Sequence, residues 1–300
     1  MQPNIRGRSL ELFFIDGKPD GMLTAEVFNW TGHVLMTPRT QLPDALKRKE
    51  ADHTGVYILL GEYNDAPMAY IGEAESVGKR LKDHANSKDW WTSAVLISTA
   101  ADALHKAHVK YLESRLVELA LNVGVMALEN GNTPPRPSLP EAQVSNMEAF
   151  LDTLLMVLPA IRIDMFLNKR RTVSIHVDAT LPSALPEFEL SNRKHGLTAL
   201  AQLIDGEFVV KEGSQARAEW SGDTTEKTSY WKLFRELVNQ GVLVVEGDHR
   251  VFSTDYAFSS TSAAGAIVNG RSTRGPTDWK VKGSTKTFKD WESEQLSEGD

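Results

Sequence analysis

Two tyrosines, Tyr57 and Tyr70, stand in apolar stretches on either side of a turn, and an ordered set of functional residues follows them. Arg80 and His84 come first, then Glu113, then two asparagines, Asn130 and Asn132. A free phenol ionises near pH ~10, so a tyrosine acts as a base near neutrality only with positive charge beside it. The guanidinium of Arg80 would supply that charge, and its fork also suits a non-bridging phosphate oxygen. Arg80 and His84 are spaced i,i+4, which places them on one helix face.

The elements around these residues follow from periodicity. Val56, Ile58 and Leu60 alternate with Tyr57 and Leu59, the pattern of a half-buried strand. Residues 62–67 read as a hairpin connection, and Met68 to Gly72 return antiparallel, which puts the two tyrosines on neighbouring strands. A helix starting at Glu75 or Ser76 and running to about Ala85 carries Lys79, Arg80, Lys82 and His84. Asp89-Trp90-Trp91 reads as a loop whose indoles either anchor in the core or offer a stacking platform for bases. Ala94 to Ser98 reads as a third strand. Ala101 to Leu121 is the longest helical pattern, with Leu104, Val109, Leu112 and Leu116 on its apolar stripe and Lys110 and Glu113 on another face. The proline-rich stretch that ends at Pro137 closes the unit.

Gly55-Val56-Tyr57 and Tyr70-Ile71-Gly72, followed in order by Arg80, His84, Glu113 and a trailing asparagine, resemble the GIY-YIG nuclease family over roughly residues 53 to 135. The one motif departure is Val56 in place of isoleucine, which conserves shape. The resemblance implies a small three-stranded antiparallel sheet flanked by helices and a metal-dependent endonuclease acting on DNA. It implies that Tyr57 is the general base, that Tyr70 hydrogen-bonds water or phosphate, and that His84 positions or shares a proton with Tyr57 or a phosphate oxygen. Glu113 would be the single protein ligand of Mg²⁺ (or Mn²⁺), an ion that keeps most of its waters. Either Asn132 or Asn130 would orient the network. Gly72, Lys79, Lys82 and Lys110 would meet the nucleic acid. The alternative is a nucleic-acid-binding or regulatory module that keeps the fold without turnover.

Three hundred residues suggest two domains, and a hydrophobic fraction of 41% with 24% charged residues is that of a globular protein. The absence of cysteine excludes disulfides, zinc ribbons and thiol catalysis. A net charge of −7 argues against indiscriminate coating of nucleic acid but permits a local basic groove. No apolar run approaches the ~18 residues that span a bilayer, and the N-terminus shows no apolar signal region, so a cytoplasmic protein with no membrane partner is expected.

The domain reading is α+β throughout. Residues 1–52 form a β-hairpin extension that either contacts substrate or completes the sheet, with a short connecting helix from Leu42 to Lys49. Residues 53–137 form the nuclease-like domain, and 138–190 a connector with a bridging helix from Pro140 to Val157 and a strand from Thr172 to Val177. Residues 191–291 form an accessory domain, and 292–300 an acidic, frayed tail. The accessory stretch has a strand ending in the Gly213 turn, a helix from Thr228 to Gln240, a hairpin around residues 246–249 and a small-residue helix from Ser259 to Asn269. It resembles a domain of unknown function often appended to such nucleases in bacteria, and would select substrate, a protein partner or a second copy. Bacterial roles compatible with the resemblance are restriction of foreign DNA, repair and processing within a mobile element.

Other features read as structural. Gly72 to Arg80 lacks the length and the Ser/Thr of a phosphate loop. His105 and His108 lack a third metal ligand in sequence, and the basic run at residues 168–171 reads as a turn between domains. Lys280, Lys282, Lys286 and Lys289 would align on one strand face, either solvated or against DNA.

Overall fold

Val56, Tyr57, Ile58 and Leu59 are all fully buried. The strand carrying the first motif is therefore covered on both faces, not half-buried as its alternation suggests. Val56 and Ile58 enter one core, while Tyr57 and Leu59 enter another on the opposite side. The computed structural model describes residues 7–64, 66–167, 170–171, 186–204, 206–221 and 229–297. The chain is mixed α+β and divides into two units, Met1–Leu167 and Asn168–Asp300.

In the first unit, β1 (Leu10–Phe14), β2 (Leu23–Val27) and β3 (Gly32–Pro38) lead through a short helix α1 (Leu42–Ala45) to β4 (Gly55–Tyr63) and β5 (Ala66–Ala74). Helix α2 (Val77–Ser87), β6 (Trp91–Thr99), α3 (Lys106–Val123), β7 (Ala127–Leu128) and α4 (Glu141–Ala160) complete it. The strands join in the order β1-β2-β3-β6-β4-β5-β7, a seven-stranded sheet and not the expected three. The extension supplies three of the four added strands, and β7 is the fourth. Val34 and Leu35 are buried on opposite faces of β3, and that strand pairs along its whole length with β6 from Gly32↔Thr99 to Pro38↔Ser93. All pairings are antiparallel except β5 with β7.

The β4–β5 hairpin is tighter than the sequence suggests. Tyr63 pairs with Ala66, and Asn64 takes a left-handed φ of 52°, a conformation asparagine tolerates. Helix α3 starts at Lys106, later than expected, because Asp102 adopts φ 48° and its carboxylate accepts the Thr54 N–H at 2.8 Å. It ends at Gly124, left-handed at φ 67°, as a glycine C-cap does. Helix α4 is no bridge between halves. Phe150, Leu151, Leu154 and Leu158 bury it in the same core as Val56 and Ile58. Trp91 opens β6 and is fully buried, while Trp90 remains half-exposed, so only one of the two indoles is a core anchor.

In the second unit, β8 (Arg170–Arg171), β9 (Glu187–Asn192), β10 (Leu197–Ile204), β11 (Glu207–Val210), β12 (Gln215–Arg217) and α5 (Ser229–Asn239) precede β13 (Leu243–Glu246) and β14 (His249–Phe252). Then come β15 (Asp255–Phe258), α6 (Thr261–Asn269), α7 (Gly275–Asp278), β16 (Lys280–Val281) and α8 (Phe288–Ser297). They form a six-stranded sheet, β16-β9-β10-β11-β15-β8, and a three-stranded sheet, β12-β14-β13. Phe188, Phe208, Trp279 and Phe288 pack in tilted and edge-to-face pairs in its core. Helix α6 is buried along its length because its small residues allow close approach, and it is capped by Ser260 and by Gly270 at φ 59°.

Two expectations need correction here, and a third is untested. Residues 292–297 belong to α8 and are not a frayed tail. Strand β16 has two residues only, so the four lysines share no strand face; Lys282 pairs with Glu187, Lys286 with Glu294, and Lys289 lies on α8. The strand expected over Thr172 to Val177 lies outside the described residues. Among the described residues no helix is long and apolar enough to cross a membrane.

Candidate active site

Tyr57 lies directly opposite Gly72 in the β4–β5 ladder. Its ring reaches across the pair, and a Cβ on Gly72 would stand 2.3 Å from the Tyr57 hydroxyl. Gly72 is therefore the space that the phenol occupies, and only a residue without a side chain leaves that space free. Tyr70 lies on the same sheet face, its ring centroid 6.1 Å from that of Tyr57.

Helix α2 packs on this face through Val77 and Leu81, which turns His84 inward. The Tyr57 hydroxyl and His84 Nε2 lie 2.8 Å apart in a buried hydrogen bond. Burial, together with the charges of Arg80 and Lys88, lowers the His84 imidazole to about 4, so the ring is neutral at pH 7. Arg80, one turn earlier and exposed, is directed at both phenols, and its interaction with Tyr57 and then Tyr70 strengthens its own hold on its proton. Burial raises the Tyr57 phenol well above its usual range, and the opposing pull of Arg80 does not offset it. Arg80 does stand where the sequence suggests, yet in the free protein Tyr57 is a neutral hydroxyl.

Glu113 approaches from the other side. Helix α3 packs on the core containing Val56 and Ile71. Glu73, paired with Val56 in the ladder, projects toward that same face. Burial raises the Glu113 carboxyl to about 7, the Glu73 carboxylate adds to the rise, and Lys110 opposes it. No hydrogen bond or salt bridge to the Glu113 side chain occurs among the described residues. The two phenols and Glu113 thus lie on opposite faces of the sheet, on either side of β5 and its outer edge.

That edge is closed on one side of the site and free on the other. β7 pairs with Met68 and Ala69, and the Asn130 side chain continues the ladder by one step. Its Oδ1 accepts the Ile71 N–H at 2.9 Å, and its Nδ2 donates to the Ile71 carbonyl at 2.7 Å. Beyond Ile71, residues 72–74 have no strand outside them among the described residues. Of the two candidate asparagines, Asn130 holds the second motif, while Asn132 is exposed and its N–H turns back to the Asn130 carbonyl at 2.8 Å. Lys79, Lys82 and Lys110 are exposed on α2 and α3.

The donor set suits a hard divalent cation. A partly buried carboxyl without a partner, with a second carboxylate beside it, is destabilised as an anion until a cation joins it. Two oxygen donors leave most coordination positions to water, as Mg²⁺ prefers. Among the described residues no group of three or more acidic, histidine or cysteine side chains forms a denser metal site.

Residues 188–292 match a family described as a domain of unknown function, DUF4357. The match lies within the second unit and agrees with an appended C-terminal module of no established chemistry. No curated protein and no solved structure matches the chain.

Several residues around the site carry no local sequence signal. Lys88 places its ammonium 5.0 Å over the Tyr70 ring and pairs with Glu129. Arg39 caps the C-terminal end of α2, donating to the carbonyls of Ala85 at 2.9 Å and Lys88 at 2.7 Å, and stacks 4.6 Å over Trp91. It is distant from α2 in sequence, and only the fold brings them together. His105 and His108 stack with centroids 3.5 Å apart, and burial followed by His105 lowers His108. Among the described residues they belong to no cluster of three or more potential metal ligands.

Proposed function

We propose that the first unit is a metal-dependent endonuclease of the GIY-YIG type that hydrolyses phosphodiester bonds in DNA, with the second unit selecting substrate or partner. The observation carrying this reading is the buried Tyr57–His84 hydrogen bond beside Gly72 on the free edge of β5. The Tyr57 hydroxyl lies over Gly72 with Arg80, Tyr70 and His84 around it, and Glu113 and Glu73 approach from the opposite face.

A phosphate at this edge meets the Arg80 guanidinium, which neutralises charge on its non-bridging oxygens. The arriving anion also offsets the two cations that depress His84, so His84 becomes a better proton acceptor. Tyr57 then takes a proton from the attacking water as its own passes to His84 along the 2.8 Å hydrogen bond. The water oxygen bonds to phosphorus, the P–O3′ bond breaks, and Tyr70 and Arg80 hold the phosphate through the inversion. Glu113, with Glu73, would hold Mg²⁺ or Mn²⁺. When bound, that cation supplies Lewis acidity to the leaving oxygen.

The test is cleavage of supercoiled plasmid, linear duplex and single-stranded DNA with Mg²⁺, Mn²⁺ or EDTA, alongside Glu113→Ala and Tyr57→Phe. Metal-dependent cleavage lost in both variants supports the proposal. The raised phenol of Tyr57 favours a second reading, a silent binding module of the same fold. Nucleic-acid binding without cleavage on any substrate would establish it. Defence against foreign DNA in a bacterial cytoplasm is the role we favour.

A further inference from the structure

Helix α4 ends in a Schellman motif. The Ile163 N–H bonds to the Leu158 carbonyl at 2.9 Å and the Arg162 N–H to the Pro159 carbonyl at 3.0 Å. The residue at C′ of this motif is left-handed, and glycine is its usual occupant. Here it is Arg162, at φ 67°. The other non-glycine residues with positive φ among those described are Asn29, Asn64 and Asp102, types that tolerate the conformation. Arginine has no such tolerance, so this position carries a local backbone penalty.

The Arg162 side chain lines a cavity of about 610 Å³ in the first unit. Trp90, Met126 and Met165 supply apolar surface, and Asp89 and Asp164 add carboxylates. The Arg162 guanidinium has no hydrogen-bond or ion-pair partner among the described residues. The cavity adjoins the candidate active site through one short relay. Trp90 Nε1 donates to Glu129 at 3.3 Å, Glu129 pairs with Lys88, and Lys88 lies over Tyr70.

We infer that this cavity receives one unstacked guanine of the nucleic-acid substrate, beside the scissile phosphate. The inference rests on the nuclease reading for the class of ligand and on the cavity for the base. A flat indole and thioethers suit the faces of a base. Guanine presents two acceptors, O6 and N7, that match an arginine fork, and two donors, N1–H and N2–H₂, that match carboxylates. Adenine, cytosine and thymine cannot present both pairs at once. Extruding a base from the stack is how enzymes acting on nucleic acid expose one to a pocket.

Fluorescence anisotropy on the full chain, silenced by Glu113→Gln, tests this. The probes are short single-stranded oligodeoxynucleotides with one guanine, or with 7-deazaguanine, inosine or adenine in its place. Loss of N7 or the 2-amino group should weaken binding about tenfold. Arg162→Gly should bring the guanine and 7-deazaguanine probes within about twofold of each other while raising the melting temperature, and leave the inosine penalty, which rests on the carboxylates. Arg162→Lys, which keeps the charge without the fork, should also lose the discrimination against 7-deazaguanine. Discrimination between guanine and 7-deazaguanine that survives Arg162→Gly overturns the inference. Cleavage by the wild-type chain without any guanine preference overturns the pocket and leaves the nuclease reading standing. Failure to bind or cleave any nucleic acid overturns both.

Discussion

Tyr57 and Gly72 are cross-strand partners in which one residue's ring fills the other's missing side chain. The motif glycine thereby acts as a steric allowance for the motif tyrosine, besides any contact with nucleic acid. Gly72→Ala should displace the phenol, destabilise the first unit by about 1–3 kcal/mol, and cut cleavage about 100-fold or more. Thermal unfolding and plasmid nicking together check this. Normal nicking by the alanine variant would show that the ring can move aside.

The neutral state of His84 gives the first unit an acid-sensitive slope. Its folded value of about 4 lies below the ordinary 6.5, so the unfolded chain binds the proton that the folded one refuses. Its contribution to stability is present above pH 6.5 and is lost as pH falls through about 4. His84→Gln should flatten that stretch of a denaturant-derived stability curve. An unchanged slope would mean that His84 is protonated in the fold.

Glu113 titrates with the opposite sign. Its folded value of about 7 lies above 4.5, so the protonated carboxyl favours the fold below pH 4.5 and that advantage disappears as pH rises through about 7. Glu113→Gln should therefore be the more stable protein in alkali. Mg²⁺ should raise the melting temperature of the wild type near pH ~8 but not near pH ~5, with proton release on binding. Calorimetric titration in two buffers of different ionisation enthalpy reads that release. Binding without proton release near pH ~6 would remove Glu113 as the ligand.

Asn130 and Asn132 are separable by mutation. Asn130→Ala removes both side-chain bonds to the Ile71 peptide and should cost about 1–3 kcal/mol, with a loss of cleavage that follows the disordered motif edge. Asn132→Ala should leave both properties near wild type. Hydrogen exchange at the Ile71 amide is the direct readout, and equal exchange in the two variants would contradict the assignment.

Arg39→Ala should lower thermal stability by about 2–3 kcal/mol, since it leaves the end of α2 uncapped and unstacks Trp91. Cleavage should fall with it, because α2 carries Arg80 and His84. Full activity with lowered stability would show that α2 keeps its place without the cap.

The parts of this architecture that are legible in the sequence are local. Alternation around Tyr57, the i,i+4 spacing of Arg80 and His84 and the stripe on α3 all report on neighbours a few residues away. What escapes them is the product of long-range pairing. Nothing in residues 32–38 announces that they will pair with β6 and enlarge the sheet, and Arg39 lies far in sequence from the helix it caps. Trp90 and Trp91 are adjacent and chemically identical, yet one begins a strand and is buried while the other stays at the rim. The state of Tyr57 is also invisible in sequence, because neighbouring charge is readable from spacing and desolvation is not. Glu73, a second acid at the proposed metal site, was hidden for the same reason: only strand register turns it toward Glu113.

Burial of β4 on both faces has a kinetic corollary. A one-residue slip would exchange Tyr57 with Ile58 between two cores shaped for different side chains, so the strand has no nearby alternative register. Small local openings cannot release it either, since it is hydrogen-bonded to β5 on one side and β6 on the other. The amide of Tyr57 should then trade its hydrogen for deuterium only when the first unit unfolds as a whole. The Tyr57 backbone thus has no private opening, and its lifetime in position is the lifetime of that unit's native state.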